Sequence, residues 1–150
     1  MRNQDIYSIA ATFRAAIIDA KYDRKFKSKD RMSNFPMGCC DDSCDLLAYY
    51  LNSVYNIHTQ QVIGTYRDNN PYNTTNHAWL AMDDNTIIDI TGDQFKFLTG
   101  FSDEVYVGKK NSFYLRLERE RKQICDNIDI TQNTRLWNDY KIIMSYMPKM

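Results

Sequence analysis

A chain of 150 residues is long enough for one hydrophobic core and too short for two independently folding halves, and with 43% hydrophobic and 25% charged residues it is neither disordered nor collagen-like. Lys plus Arg equals Asp plus Glu at 19 each, so no overall field recruits nucleic acid, an anionic membrane or an acidic substrate, and any partner is chosen locally. The polar opening Met1-Arg2-Asn3-Gln4-Asp5, followed by Arg14 and Asp19, holds no signal-peptide core and no membrane span, so the expected location is cytoplasmic, or the protein is delivered without a signal peptide.

From Gln4 to Lys21 the apolar residues Ile6, Ile9, Ala10, Phe13, Ala16, Ile17 and Ala20 recur at helical spacing and predict an amphipathic first helix. Tyr22 to Met37 is polar and basic, with Lys25, Lys27, Lys29 and Arg31 interleaved with Asp23 and Asp30. It reads as a solvated loop bordering a cleft, and it stops at Gly38 after Phe35-Pro36-Met37. A second helix follows from about Cys40 to Tyr55, because Cys40, Cys44, Leu47, Ala48 and Leu51 fall on one face. On that spacing Cys40 is the inward member of its pair, while Cys39 shares a more mixed face with Ser43, Leu46 and Tyr50.

Gln61 to Tyr66 reads as a strand and Arg67 to Asn76 as a loop. His77 to Met82 and Thr86 to Ile90 read as two strands of a hairpin around Asp83-Asp84-Asn85. With those three residues in the loop, Met82 faces Thr86 and Trp79 faces Asp89, so His77, Trp79 and Asp89 project from one side of the sheet; a two-residue loop puts His77 and Asp89 on opposite sides. Farther on, Glu104 to Val107 and Ser112 to Leu117 read as strands and Glu118 to Lys122 as a solvated face or strand end. Leu136, Tyr140, Ile143, Met144 and Met147 lie on one face of a last helix, which Pro148 ends.

Of the four cysteines, Cys39, Cys40 and Cys44 crowd into six residues and Cys125 stands apart. A Cys40–Cys44 bridge would have to join successive turns of one helix in a reducing compartment. Zinc lacks a second CxxC or HxxxH partner in a chain with two histidines, so no metal is expected. A thiol is a good nucleophile only as thiolate, and a helix N-terminus beside an imidazole favours that form. Cys40 after Gly38 meets the first condition. His77, with Asp89 on its sheet face to fix the ring, meets the second.

Each residue also has a plainer reading. Cys40 can be a small core residue, with Cys39 as the reactive thiol instead; His77 can be a satisfied sheet histidine. His58 sits in a polar stretch and reads as a surface residue, and Trp79 reads first as core that shields the imidazole. Asp89 lies between Ile88 and Ile90 and needs a partner to offset its desolvation, Thr91 or Trp79 being the structural alternatives. Eleven tyrosines without a basic excess read as strand and core residues rather than a nucleic-acid surface.

Gly38-Cys39-Cys40-Asp41-Asp42-Ser43-Cys44-Asp45-Leu46-Leu47, His77-Ala78-Trp79-Leu80 and Ile88-Asp89-Ile90-Thr91, in that order, resemble the papain-like and transglutaminase-like cysteine enzymes. With Asp93-Gln94-Phe95, the pattern is more similar to small bacterial or phage-associated members than to the large crosslinking enzymes. The resemblance covers about Gly38 to Phe95 and implies one α+β domain over residues 1–150, its nucleophile helix packed on an antiparallel sheet. It implies a thiol-dependent amide hydrolase or acyl transferase, a protease or glutamine deamidase before a crosslinking enzyme. A Cys40-His77-Asp89 triad would work through a thioester without a cofactor. Ser33-Asn34-Phe35-Pro36 departs from the family by lacking a Gln before the nucleophile, so Asn34 or Gln94 is left to assist the Cys40 N–H at the oxyanion, and Trp79 to touch substrate. The implied partner is a peptide or protein substrate, with no nucleic acid and no membrane, and with a cognate inhibitor or immunity protein as a further partner. The alternatives are a non-catalytic binding module on the same fold, or the same chemistry in a delivered effector or toxin.

Overall fold

Ile6, Ala10, Phe13, Ala16, Ile17 and Ala20 line the buried side of helix α1 (Asn3–Tyr22) in the computed structural model, which describes residues 1–124 and 130–149; Cys125 lies outside them. Helix α2 (Cys40–Tyr55) starts where the sequence places it. Gly38 at φ +69° adopts a left-handed turn that favours glycine, Cys39 occupies the N-cap, and the Ser43 N–H donates to Cys39 O at 2.9 Å as the first helical bond. Asn56, left-handed at φ 55°, closes the helix by donating back to Asn52 O.

The sheet has five strands, β1 (Gln60–Tyr66), β2 (Thr75–Ala81), β3 (Ile87–Asp89), β4 (Tyr106–Gly108) and β5 (Glu118–Ile124), in the order β4-β3-β2-β1-β5 with every neighbouring pair antiparallel. The fold is therefore α+β. Period-two alternation divides the core between the two faces of the sheet. Ala78, Leu80, Ile88 and Ile90 point to α1, α2 and α5 (Thr134–Tyr146), which bury one large cluster. Val62, Trp79, Ala81 and Ile87 point the other way, against Phe95, Phe113 and Tyr114. The β2–β3 register pairs Leu80 with Ile88 and Ala81 with Ile87, and the Met82 N–H donates to Thr86 O, so Asp83, Asp84 and Asn85 form the loop that the spacing predicts.

Two expectations are corrected. Ser112 to Arg116 is not a strand but the short helix α4, which follows α3 (Lys96–Thr99), because the Asn111 carboxamide caps it by accepting from the N–H groups of Phe113 at 2.9 Å and Tyr114 at 3.3 Å. The charged run from Glu118 is exposed, as its composition suggests, and lies in β5, an edge strand paired with β1; alternating charges suit such an edge because they discourage pairing with another chain. The burial of the cysteine pair is also the reverse of that read from spacing. Cys39 is fully buried and Cys40 only half so, since α2 buries Ser43, Leu46 and Tyr50 as well as Cys44, Leu47 and Leu51. Among the described residues no helix is long and apolar enough to cross a membrane.

Candidate active site

The His77–Asp89 pair is a product of hairpin register. Both side chains leave the same face, and His77 Nε2 meets Asp89 Oδ2 at 2.7 Å with the ring 0% and the carboxylate residue 2% exposed. Opposite His77 on β1 stands Gly64, where a Cβ would lie 2.9 Å from Leu117 and 3.1 Å from the Trp79 ring; only glycine lets the indole lie across the strand there. Trp79 at 5.8 Å, Phe95 at 5.1 Å and Phe113 at 6.0 Å between ring centroids then wall the imidazole off from water.

Asp89 is held from several directions. Besides His77, its Oδ2 accepts from the Tyr114 hydroxyl at 2.7 Å, and its Oδ1 accepts from the Thr91 N–H at 2.9 Å. Burial alone would raise its pKa; the charge and hydrogen bond of His77, the Tyr114 hydroxyl and the Thr91 N–H together keep it below the usual carboxylate range. Burial, with the Asp89 charge next, pushes the Tyr114 phenol far up, so this hydroxyl stays a donor. Gly92 closes the pocket, since a Cβ there would come within 2.5 Å of the Phe101 ring and 3.0 Å of Asp89 Oδ2.

For His77 the balance runs the other way. Burial pulls the ring's pKa down, but the Asp89 charge and hydrogen bond, joined by the Cys40 thiol, outweigh it and hold the pKa at about 9. At that value the ring favours its protonated form at neutral pH. The Cys40 thiol stands near enough to raise the ring's pKa, while Asp89 engages Nε2. The neighbouring thiol differs sharply. Burial pushes Cys39 up to about 12 despite the Ser43 hydroxyl that donates to its sulfur, so at neutral pH Cys39 stays protonated inside the core.

The structure thus brings Cys40, His77 and Asp89 together. Gln94 joins them, its side-chain amide 3.2 Å from His77 Nδ1. With Nδ1 protonated, the amide oxygen accepts from it; with a neutral ring bearing its proton on Nε2, the amide nitrogen donates to Nδ1. Asn34 lies elsewhere: it is exposed and lines a hollow that contains none of Cys40, His77, Asp89 and Gln94. Trp79 is buried as a shield of the ring, and His58 is exposed beside Asn52.

Two ion clusters fix the elements that carry the site. Arg14 on α1, stacked on Phe35, grips Asp93 with both guanidinium nitrogens at 3.0 Å and donates to the carbonyls of Ile90 and Glu104, which positions the turn bearing Gln94. Asp42, in the first turn of α2, is held by Arg135 of α5 at 2.9 and 3.2 Å and by Arg31 at 3.1 Å. Arg135 also reaches Asp30 at 3.2 Å, so the start of the Cys40 helix is bolted to α5 and to the preceding loop.

Tyr114 and Arg14 are the site residues that sequence reasoning missed. The signal for Tyr114 was Asn111-Ser112, a helix-cap pair that the β-prone Phe113-Tyr114-Leu115 run obscured. Arg14 gave only a charge on a helix. No protein family model, no curated protein and no solved structure matches the chain.

Proposed function

We propose that the chain is a thiol-dependent amide hydrolase or acyl transferase of papain-like or transglutaminase-like architecture, with Cys40 as nucleophile, His77 as proton carrier and Asp89 as the group that orients the ring. The observation carrying this reading is the fully buried His77 ring, held at Nε2 by Asp89 at 2.7 Å, with a half-exposed cysteine at a helix start close enough to raise its pKa. A purely structural histidine needs the carboxylate but not the accessible thiol.

In this reading the Cys40 sulfur, its proton passed to His77 Nδ1, attacks an acyl carbon; the amide C–N bond breaks, and His77 returns the proton to the departing amine. Water or a second amine then resolves the thioester and frees the sulfur. The helix N-terminus and the Cys40 N–H face the developing oxyanion, and Gln94 supplies a side-chain donor once its amide turns from the ring. The aromatic wall of Trp79, Phe95 and Phe113 keeps the ion pair in a poorly hydrated setting, where it is strongest.

Iodoacetamide labelling followed by intact-mass analysis tests the nucleophile, and casein serves as the amide probe. Cys40 is expected to label ahead of Cys44 and Cys125, and His77→Ala to lower both that preference and turnover, the latter by ~10²–10⁴-fold. A gain of about one dalton on the casein marks deamidation, fragments mark proteolysis and joined masses mark crosslinking. Equal labelling of all thiols, indifferent to His77, would replace the enzyme with a binding module.

A further inference from the structure

The loop between α1 and α2 builds a second site. Lys21, Arg24 and Lys27 line a hollow of about 510 Å³ together with Phe26, Ser28, Ser33 and Asn34, and no carboxylate is among the lining residues. Two acids that flank this loop are engaged elsewhere: Asp23 accepts from the Tyr146 hydroxyl at 2.6 Å, and Asp30 turns inward to the Met32 N–H and Arg135. In a chain whose formal charge sums to zero, this is a local concentration of cations. Three like charges around one hollow repel one another, and an entering anion relieves that repulsion.

Lys21 is pinned in place by donating from Nζ to Phe35 O at 2.7 Å, which leaves it two further N–H bonds to offer; Arg24 and Lys27 are exposed at the rim. Hydroxyl and amide groups from Ser28, Ser33 and Asn34 add neutral polar partners, and buried Phe26 adds an apolar wall. The hollow is far larger than a single carboxylate or phosphate requires, the volume of one liquid water being about 30 Å³, so it suits a chain that carries several oxyanions on an organic backbone. It also opens beside residues 33–35, the segment that leads directly into Gly38, Cys39 and Cys40.

We propose that this hollow docks an acidic polypeptide segment of the substrate, with carboxylates of that segment on Lys21, Arg24 and Lys27 and its chain continuing toward Cys40. As a statement about substrate it rests on the enzyme reading above; as a statement about binding it stands alone. The occupant is a peptide rather than a nucleic acid or lipid because the neutral polar groups and the Phe26 wall suit side chains on a polyamide, and the chain as a whole carries no basic excess.

Fluorescence anisotropy of a labelled hexaglutamate peptide on the full chain carrying Cys40→Ala, so that nothing turns over, reads the docking alone. Arg24→Gln with Lys27→Gln is expected to weaken binding roughly twofold to thirtyfold, as the loss of two exposed ion pairs implies, and to flatten its dependence on salt. Lys109→Gln with Lys122→Gln, which removes the same charge from another part of the surface, is expected to leave it unchanged. Equal binding of hexaglutamine, an equal loss in both double variants, or tighter binding of single-stranded DNA or phosphatidylserine vesicles than of hexaglutamate would each overturn the proposal. If hexaglutamate docks as described while casein is untouched by the wild-type protein, the enzyme reading fails and the docking site remains.

Discussion

Asp89 and Asp139 are two aspartates buried to nearly the same depth, 2% and 3% exposed, and their pKa values move in opposite directions. Asp89 is ringed by donors, His77, Tyr114 and Thr91, and stays ionised below the usual range. Asp139 on α5 is pushed up to about 8, first by burial and then by the hydrogen bond and charge of Asp30, while Arg135 stands 3.8 Å away, too far to offset them. Its Oδ2 has no hydrogen-bond partner. Burial raises Asp30 as well, but Asp139, the Met32 N–H and Arg135 outweigh it and hold that carboxyl low. Depth sets how much a charge matters in this molecule, and the number of donors facing it sets whether the charge is there.

The sharpest way to break this contrast is Asp89→Asn. It leaves the imidazolium without its counter-charge in a buried site, so unfolding in urea at pH 7 is expected to show a loss of ~3–5 kcal/mol, with turnover falling too. A loss under about 1 kcal/mol would mean that Asp89 is no more committed to its charge than Asp139. Next in size is Tyr114→Phe, expected to cost ~1.5–3 kcal/mol as one buried bond to a charged group disappears. Tyr114 is a positioning residue that acts through Asp89. With one donor fewer, the carboxylate pulls harder on the His77 proton, so the alkaline limb of the pH–rate profile is expected to move upward. A stability loss with an unmoved limb would reduce Tyr114 to packing.

The smallest loss belongs to Asp139→Asn. An amide mimics the protonated acid, so below about pH 4, where folded and unfolded chains both hold that proton, stability is expected to change by no more than about 1 kcal/mol, and at pH 7 the variant is expected to be the more stable. What changes is the pH dependence. With a folded pKa of about 8 against 3.8, Asp139 keeps its proton in the folded state while the unfolded chain releases it, so stability falls as pH rises through that window. The variant is expected to flatten that slope in part, the remainder coming from Asp45, which burial and then Asp41 and Asp42 raise to about 7. His77 acts in another range: its folded pKa of about 9 against 6.5 gives a contribution that is full below about 6.5 and lost as pH rises through about 9. Denaturant midpoints from pH 4 to 10 separate the two, and an unaltered slope from pH 4 to 8 in the variant would show that Asp139 is not held protonated by the fold.

Much of this was legible in the residues because periodicity and turn length are local. Helix α2 begins at Cys40 as its spacing requires, and a three-residue turn after Met82, one of the two loop lengths the pattern allows, places His77 and Asp89 on one face. The burial of Cys39 and Cys40 was misread because a stripe count assumes one buried face, whereas α2 lies between other elements and buries most of its surface. Tyr114 was out of reach for a different reason: its partner lies 25 residues away, and the cap that turns its segment into a helix was outweighed by β propensity. Arg14 meets Asp93 across 79 residues, a separation that no local pattern encodes.

The same separations bear on when the protein becomes itself. Arg135 lies 93 positions after Asp42 and 105 after Asp30, so a ribosome delivers the whole of α2 well before the guanidinium that bolts its first turn to α5. Until then Asp42 has only the half-exposed Arg31 against it, and the front of the cysteine helix is free to fray. The start of α2 is therefore expected to be firmly held only once residues 134–146 have joined the fold.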